Sequence, residues 1–273
     1  DQIITMGSII AVVILSGRAL GPLAKVGQTL GRANAAYVAR GNLTRFLSAP
    51  RMRNSGATSM ITNTENSAIE LHNVTLRLSE MGRPLLNGFN LTIKKGEKVA
   101  IVGRTGSGKT SLIKVIIGLL TPETGSIMIS GSDVRQYARA DLFRKVGTVF
   151  QESWLFSGTI RDNVAMGQDD CSEQNIVDCL RAAGANFIGE GTSADLDFLI
   201  QDQGSNLSGG QRQSIMMARA LAFNPDIFLF DEPTSAMDGL TESEVIASLS
   251  SNLGNKTLLV VTHKMPVVAM CDR

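Results

Sequence analysis

The apolar positions of this chain follow different rhythms on either side of a polar stretch that ends at Ser67. From Ile3 to Leu15 nearly every residue is apolar or small, the run is unbroken from Ile9 to Leu15, and Arg18 ends it. From Gly17 to Ser48, Leu20, Leu23, Val26 or Gly27, Leu30, Tyr37 and Leu43 recur at mixed three- and four-residue spacing, the rhythm of a helix. Arg18, Lys25, Arg32, Arg40 and Arg45 lie between them with no acidic residue, and Pro50 stops the pattern. Arg51 to Ser67 is rich in Ser, Thr, Asn and Gly and reads as a linker. The domains expected are therefore 1–50, a linker over 51–67, and 68–273.

Beyond the linker the pattern predicts strands alternating with helices. Ile69–Leu78 and Phe89–Ile93 read as strands, followed by a tight turn at Lys95-Gly96-Glu97 and a strand over Lys98–Val102. A helix over Ser111–Leu120 comes next, then a strand pair, Ser126–Ser130 and Val146–Phe150, bracketing a polar turn-helix from Ser132 to Arg144. Ser172–Ala183, Gln211–Ala222 and Glu242–Leu253 read as helices, and Ile227–Phe230 and Thr257–Val261 as buried strands. This order predicts an α/β domain with a mostly parallel sheet.

The first 15 residues alone are too short to cross a bilayer, which takes about 20 apolar residues. They lack a basic start and a small-residue cleavage site, so they do not read as a signal peptide. A buried core helix and the last part of a transmembrane helix both fit. The basic residues that follow match a helix leaving a membrane on its cytoplasmic side, with an amphipathic surface helix as the alternative.

Composition narrows the partners. The chain has 273 residues and a net charge of +1, so no broad field draws in nucleic acid, and any anion site has to be local. Cys171, Cys179 and Cys271 lack the paired spacing of a zinc site and read as reduced thiols.

One local anion site is written into the chain. Gly103, Arg104, Thr105, Gly106, Ser107, Gly108, Lys109 and Thr110 fit G-x-x-x-x-G-K-[ST], between the apolar run Val99–Val102 and the predicted helix beginning at Ser111. Glycines there let successive N–H groups turn toward phosphate oxygens, and the helix N-terminus adds its positive end. Lys109 would reach the β- and γ-phosphates and Thr110 would sit on Mg²⁺. Further on, Asp231 and Glu232 close a fully apolar strand, at the carboxyl edge where open α/β sheets bind ligands. Asp231 would hold Mg²⁺, and Glu232 would act as general base on the attacking water.

Leu207-Ser208-Gly209-Gly210-Gln211, followed by Arg212-Gln213, resembles the LSGGQ signature of ABC transporter ATPases, about twenty residues before the carboxylates. Gln151 after Phe150 resembles that family's Q-loop, Ser235-Ala236-Met237-Asp238 its D-loop, and His263 after Val260-Val261-Thr262 its switch histidine. The resemblance covers roughly Ala68 to Arg273 and implies a P-loop ABC-type ATPase fold, with an antiparallel β subdomain and a helical subdomain beside the parallel sheet. It also implies that two chains sandwich two ATP molecules head to tail. Ser208, Gly209, Gly210, Gln211 and Asp238 then serve the partner's nucleotide, Gln151 touches metal and water, and His263 orients Glu232.

Within the family, Leu155 to Val164 resembles the exporter subclass, and Gly7 to Leu23 the end of the sixth transmembrane helix of type I secretion exporters of adhesins and toxins. The implied protein is an inner-membrane homodimer with its ATPase on the cytoplasmic side, joined to its own transmembrane domain, and served by a periplasmic adaptor and an outer-membrane channel. Other lipid, drug or peptide exporters, and soluble ABC-type ATPases of DNA repair or translation, are the alternatives.

Two departures from the family stand out. The loop before the signature is Ile200-Gln201-Asp202-Gln203-Gly204, without the first glycine of the usual V-G-E-x-G. The first strand, which should offer an aromatic ring to adenine, has Leu78 at that station, leaving Tyr137 as the nearest alternative after the phosphate loop. The chain also stops at Arg273, before the elements that usually finish such a domain, and so reads as a fragment.

Overall fold

The computed structural model describes residues 6–48, 66–78, 82–104, 106–152, 154–168, 171–188 and 192–273. The predicted linker lies almost wholly outside them, as do Ile3 and Pro50. The chain divides into two compact units, 1–53 and 54–273.

In the first unit the apolar run and the basic segment form one continuous helix, α1 (Met6–Ser48). Its 43 residues make it about 65 Å long at 1.5 Å per residue. An 18-residue window reaches a mean hydropathy of 1.7, long and apolar enough to cross a membrane. Pro22 lies inside it and has no N–H to give the carbonyl of Arg18, so the ladder loses one bond there.

The second unit is built on two four-stranded sheets. The strands are β1 (Ser67–Leu76), β2 (Leu86–Lys94), β3 (Lys98–Ile101), β4 (Thr124–Ile129), β5 (Ser132–Asp133), β6 (Val146–Val149), β7 (Gly158–Thr159), β8 (Leu199–Ile200), β9 (Ile227–Asp231) and β10 (Thr257–Val261). One sheet is antiparallel in the order β2-β1-β4-β5, the other parallel in the order β3-β10-β9-β6, and β7 pairs with β8. The helices are α2 (Lys109–Ile116), α3 (Arg139–Lys145), α4 (Ile160–Ala165), α5 (Glu173–Ala182), α6 (Ser193–Leu196), α7 (Gly209–Ala222), α8 (Gly239–Asn252) and α9 (Met265–Ala269).

The expected strand pair does not form. Residues 126–130 belong to β4, which pairs with β1, whereas 146–149 form β6, which pairs with β9 in the other sheet. Adjacency in sequence gave way to sheet membership: β4 lies between β1 and β5 in the antiparallel sheet, and β6 adds to β9 at the edge of the parallel one. The helix expected over Ser111–Leu120 begins at Lys109 instead and stops at Ile116, because Gly118 turns the chain at φ 68°.

The side-chain period of two divides the interior. Phe228 and Phe230 of β9 and Leu258 and Val260 of β10 face a core shared with α4, α5 and α7. Ile227, Leu229, Leu259 and Val261, on the other face, pack with Leu112, Ile113, Val115 and Ile116 of α2 and with β1 and β4. All five residues of β9 and of β10 are buried, which is why these runs carry no alternation.

In the antiparallel sheet β1 bulges between Leu71 and Val74, with Asn73 at φ 49°. Gly125 of β4 fits against that bulge at φ 95°, where an added Cβ would lie 2.6 Å from the carbonyl oxygens of both His72 and Asn73. Gly125→Ala is therefore expected to cost about 2–5 kcal/mol, combining a left-handed penalty of about 1–2 with overpacking of about 1–3. Gly167, at φ 77° with nothing within 4 Å of an added Cβ, isolates the backbone contribution. Urea unfolding of both alanine variants checks this, and equal losses would remove the packing argument.

Candidate functional site

The glycine loop joins β3 to α2, and its shape follows from two left-handed glycines. Gly106 sits at φ 81° in open space, so only its backbone demands glycine. Gly108, at φ 93°, caps α2 and would bring a Cβ to 2.8 Å from Leu85 Cγ. Lys109 Nζ donates to the carbonyls of Gly103 at 2.7 Å and Arg104 at 3.0 Å, and Ser107 N donates to Arg104 O at 3.2 Å. The first turn of α2 holds Lys109, Thr110 and Ser111, whose N–H groups have no intrahelical acceptor. Thr105 lies outside the described residues.

This loop forms one wall of a cleft of about 380 Å³. Gly106, Gly108, Lys109, Thr110 and Ser111 line it together with Gln151, Asp231, Glu232 and His263, so groups far apart in sequence meet in one place. Leu78 and Leu85 form its apolar rim, with Leu78 65% exposed. Tyr137 is elsewhere: its hydroxyl donates to Ile129 O at 2.8 Å and its ring packs against the core over β1 and β4.

Asp231 is 1% exposed, and among the described residues its Oδ2 has no hydrogen-bond partner. Burial holds its carboxyl above the usual carboxylate range, against a hydrogen bond from Thr110 that pulls the other way. An orphaned, buried carboxylate oxygen beside the Thr110 hydroxyl is what a hard divalent cation with oxygen ligands needs, so the residues fit Mg²⁺.

Glu232 stands at φ 51°, left-handed for a residue with a side chain. Its N–H donates to Val261 O at 2.8 Å, extending the β9–β10 ladder past the strand end. His263 Nδ1 lies 2.8 Å from Glu232 Oε1, and Thr262 Oγ1 is 3.5 Å from Oε2. His263 and Glu232 are thus in contact within the single chain. Lys264, the next residue, pairs with Glu242 Oε2 at 3.0 Å and donates to Thr234 O at 2.7 Å, while Thr234 Oγ1 donates to Glu242 Oε1. Sequence reading missed this trio, which ties the backbone just after Glu232 to the residue just after His263.

The signature residues sit in a different cleft. Ser208 caps α7 in a reciprocal box, its Oγ accepting from Gln211 N and its N–H donating to Gln211 Oε1. Ser208 to Gln211 line a cleft of about 360 Å³ with Asp238, whose carboxylate accepts from Leu240 N and Thr241 N and caps α8. An added Cβ on Gly209 or Gly210 would lie 3.2 Å from Ala236 Cβ or 3.1 Å from Ala236 O. The glycine pair therefore lets the 235–237 loop rest on the helix start, a packing demand that motif reading did not include.

The loop before the signature explains its own departure. Gln201, where glycine is usual, has φ −78° and ψ 173°, an extended backbone any residue adopts. The left-handed positions are Gln203 and Gly204, and Arg212 of α7 donates to Gly204 O and Leu207 O. Across the helical face, Asn163 donates to Phe156 O and Thr159 O, and Arg219 of α7 donates to Asn163 O and Oδ1, both at 2.8 Å. Burial lowers the Arg219 guanidinium to about 10. The 155–164 stretch is thereby fastened to the signature helix.

Comparison with known proteins identifies the family. The ABC transporter family model matches residues 86–235. The alpha-hemolysin translocation ATP-binding protein HlyB of Escherichia coli O157:H7 is 34% identical over 270 residues, 99% of this chain and 38% of that protein. The exotoxin translocation ATP-binding protein PaxB of Pasteurella aerogenes is 33% identical over 271 residues, with the same coverage of 99% and 38%. An ATP-dependent lipid A-core flippase of Syntrophus aciditrophicus is 38% identical over 205 residues, 75% of this chain and 34% of that protein. The chain thus spans little more than a third of the length of these curated relatives. Among solved structures, a bacterial Atm1-family ABC exporter with ATP bound superposes with a TM-score of 0.74 at 26% identity, covering 98% of this chain and 47% of that one. With a family match longer than half of its length, laid over both sheets and the phosphate loop, the chain belongs to the ABC transporter family and carries its ATP-binding domain.

Proposed function

We propose that this chain is the ATP-hydrolysing part of an exporter in which two copies close head to tail over two ATP molecules, driving a protein of the toxin or adhesin class out of the cytosol. The observation that carries the dimer is that Ser208 and Lys109 line different clefts of the same chain, with no lining residue in common among the described residues, although the family fold uses both. A second chain, turned end for end, brings the one to the other. The export reading draws on α1, apolar enough to span a membrane, and on relatives named for translocation of hemolysin and exotoxin. The same reading gives an inner membrane location with the ATPase on the cytoplasmic side, its own transmembrane domain, a periplasmic adaptor and an outer-membrane channel.

In the cleft, Lys109 exchanges the loop carbonyls for the β- and γ-phosphates, and the N–H groups from Gly106 to Ser111 surround them. Thr110, Asp231 and Gln151 hold Mg²⁺, which when bound neutralises charge on the phosphate oxygens. Glu232 takes the proton of the attacking water on a carboxylate oxygen, and His263 keeps that carboxylate aimed. Asp238 stays on its helix cap and orders the loop that faces the partner.

Mixing two inactive variants tests the composite site. Lys109→Ala is expected to lose ATP binding and Ser208→Arg to block the signature face. In a head-to-tail mixed dimer one site carries both lesions and the other none, so ATPase activity returns on mixing. No recovery at concentrations that dimerise the parent would overturn the shared site.

The rim residue Leu78 offers adenine apolar contact without a stacking plane. Base stacking on an aromatic ring is worth about 1–3 kcal/mol. The parent is expected to bind ATP and GTP with similar dissociation constants, and Leu78→Tyr to tighten ATP about tenfold. Because Tyr137 is bonded to Ile129 O, Tyr137→Ala should leave both affinities unchanged. A large loss in Tyr137→Ala, with Leu78→Tyr at parental affinity, would move the base platform to Tyr137.

A further inference from the structure

Gln213 of α7 is a polar side chain only 3% exposed, on the stripe it shares with Met217 and Ala220. Its amide is fully engaged by the loop that follows β9. Nε2 donates to Glu232 O at 2.8 Å and to Ser235 Oγ at 3.2 Å, and Oε1 accepts from Ala236 N at 2.9 Å. The orientation of the amide is forced, since a carbonyl only accepts and a backbone N–H only donates.

The residue it grips is the strained one. Glu232, at φ 51°, occupies a conformation that costs free energy for any residue with a Cβ and persists where the surroundings over-determine it. Three bonds do so: its N–H to Val261 O at 2.8 Å, Ser235 N to its carbonyl at 3.2 Å, and Gln213 Nε2 to the same carbonyl. Of these, Gln213 supplies the side chain, and it arrives from the helix that begins at Ser208.

We infer that Gln213 is a positioning residue for Glu232, locking the left-handed backbone that aims its carboxylate and tying that backbone to the signature helix through the 235–236 loop. This rests on Glu232 acting as general base. Gln213 is not among the residues that line the Lys109 cleft; it acts by denying Glu232 other backbone conformations. Gly209 and Gly210 make the same joint from the helix start, because Ala236 packs where their side chains would be.

Two substitutions separate the bonds. Gln213→Met keeps the length of the side chain and removes both donor and acceptor. Gln213→Glu keeps an acceptor for Ala236 N and, when ionised, removes the donor to Glu232 O. Both are expected to lower kcat by about tenfold to 10²-fold, the loss that small misplacement of a catalytic group brings, with KM and ATP dissociation constant within about twofold of the parent. Hydrogen exchange at the Ala236 amide is expected to speed up in Gln213→Met and stay slow in Gln213→Glu. Adding Gln213→Met to Glu232→Gln is expected to bring no further loss, since one group acts through the other.

A parental kcat in Gln213→Met would overturn the inference, as would a loss in which KM, ATP affinity and thermal midpoint fall together, the pattern of a structural role alone. Substantial turnover in Glu232→Gln by itself would instead remove the base assignment beneath it, and is distinguishable because it appears without any change at Gln213.

Discussion

The parallel register of β9 between β6 and β10 is the constraint on which the site depends. Pairing of Asp231 with Val261 puts the end of β9 level with the end of β10, so Glu232 N finds Val261 O and His263 arrives two residues later against Glu232. On the other edge, pairing of Phe230 with Val149 delivers Gln151 to the same cleft. A slip of one residue would send every side chain of β9 to the opposite core, exchanging Phe228 and Phe230 for Ile227 and Leu229. The two cores differ in shape, so the interior fixes the register and the register fixes the chemistry. Burial of all five residues of β9 also explains why Asp231 can be desolvated without loss of the strand: the apolar contacts on both faces offset the cost of a carboxylate at its end.

The groups of the site differ in how legible they were in sequence. The phosphate loop, the carboxylate pair and the signature announce themselves because the chemistry needs fixed spacings on one local element, and a local element is what sequence records. Gln213 follows that signature and was read with it, but the resemblance gave it no role of its own. Its mark was subtler: a glutamine at helical spacing from Met217 and Ala220, on the stripe that turns inward, where an unpaired amide is costly. The Lys264, Glu242 and Thr234 trio joins three segments up to 30 residues apart, and no pattern within any one of them forecasts the meeting.

The misreadings share a cause. Residues 126–130 and 146–150 are both short and apolar, and reading neighbours as partners joined them, whereas their true partners, β1 and β9, lie far off in sequence. The α2 helix ended early because Gly118 overrode an apolar run that continues to Leu120. The left-handed turn at Glu232 could not be read at all, since glutamate gives no hint of positive φ and the bonds that impose it come from Val261, Ser235 and Gln213. Replacement of the usual glycine by Gln201 costs the backbone nothing, because the left-handed positions of that loop come one and two residues after Asp202.

The same helix start faces two tasks, and geometry ties them. Ser208 opens α7 toward a cleft that Lys109 does not line, while Gln213, five residues further along, grips the backbone of Glu232 beside Lys109. Interiors packed at this density transmit displacement instead of absorbing it. Gly209 and Gly210 have no side chains to act as spacers, so Ala236 lies directly on the helix and the loop has no room to move independently of it. Arg219, at the far end of α7, holds Asn163 and with it the 155–164 stretch. One 14-residue helix thus connects the signature cleft, the carboxylate that faces the phosphate loop, and the exporter-like loop on the helical face. All three are held to that one element by named contacts: Ser208 through its cap, Gln213 through Glu232 O, and Arg219 through Asn163.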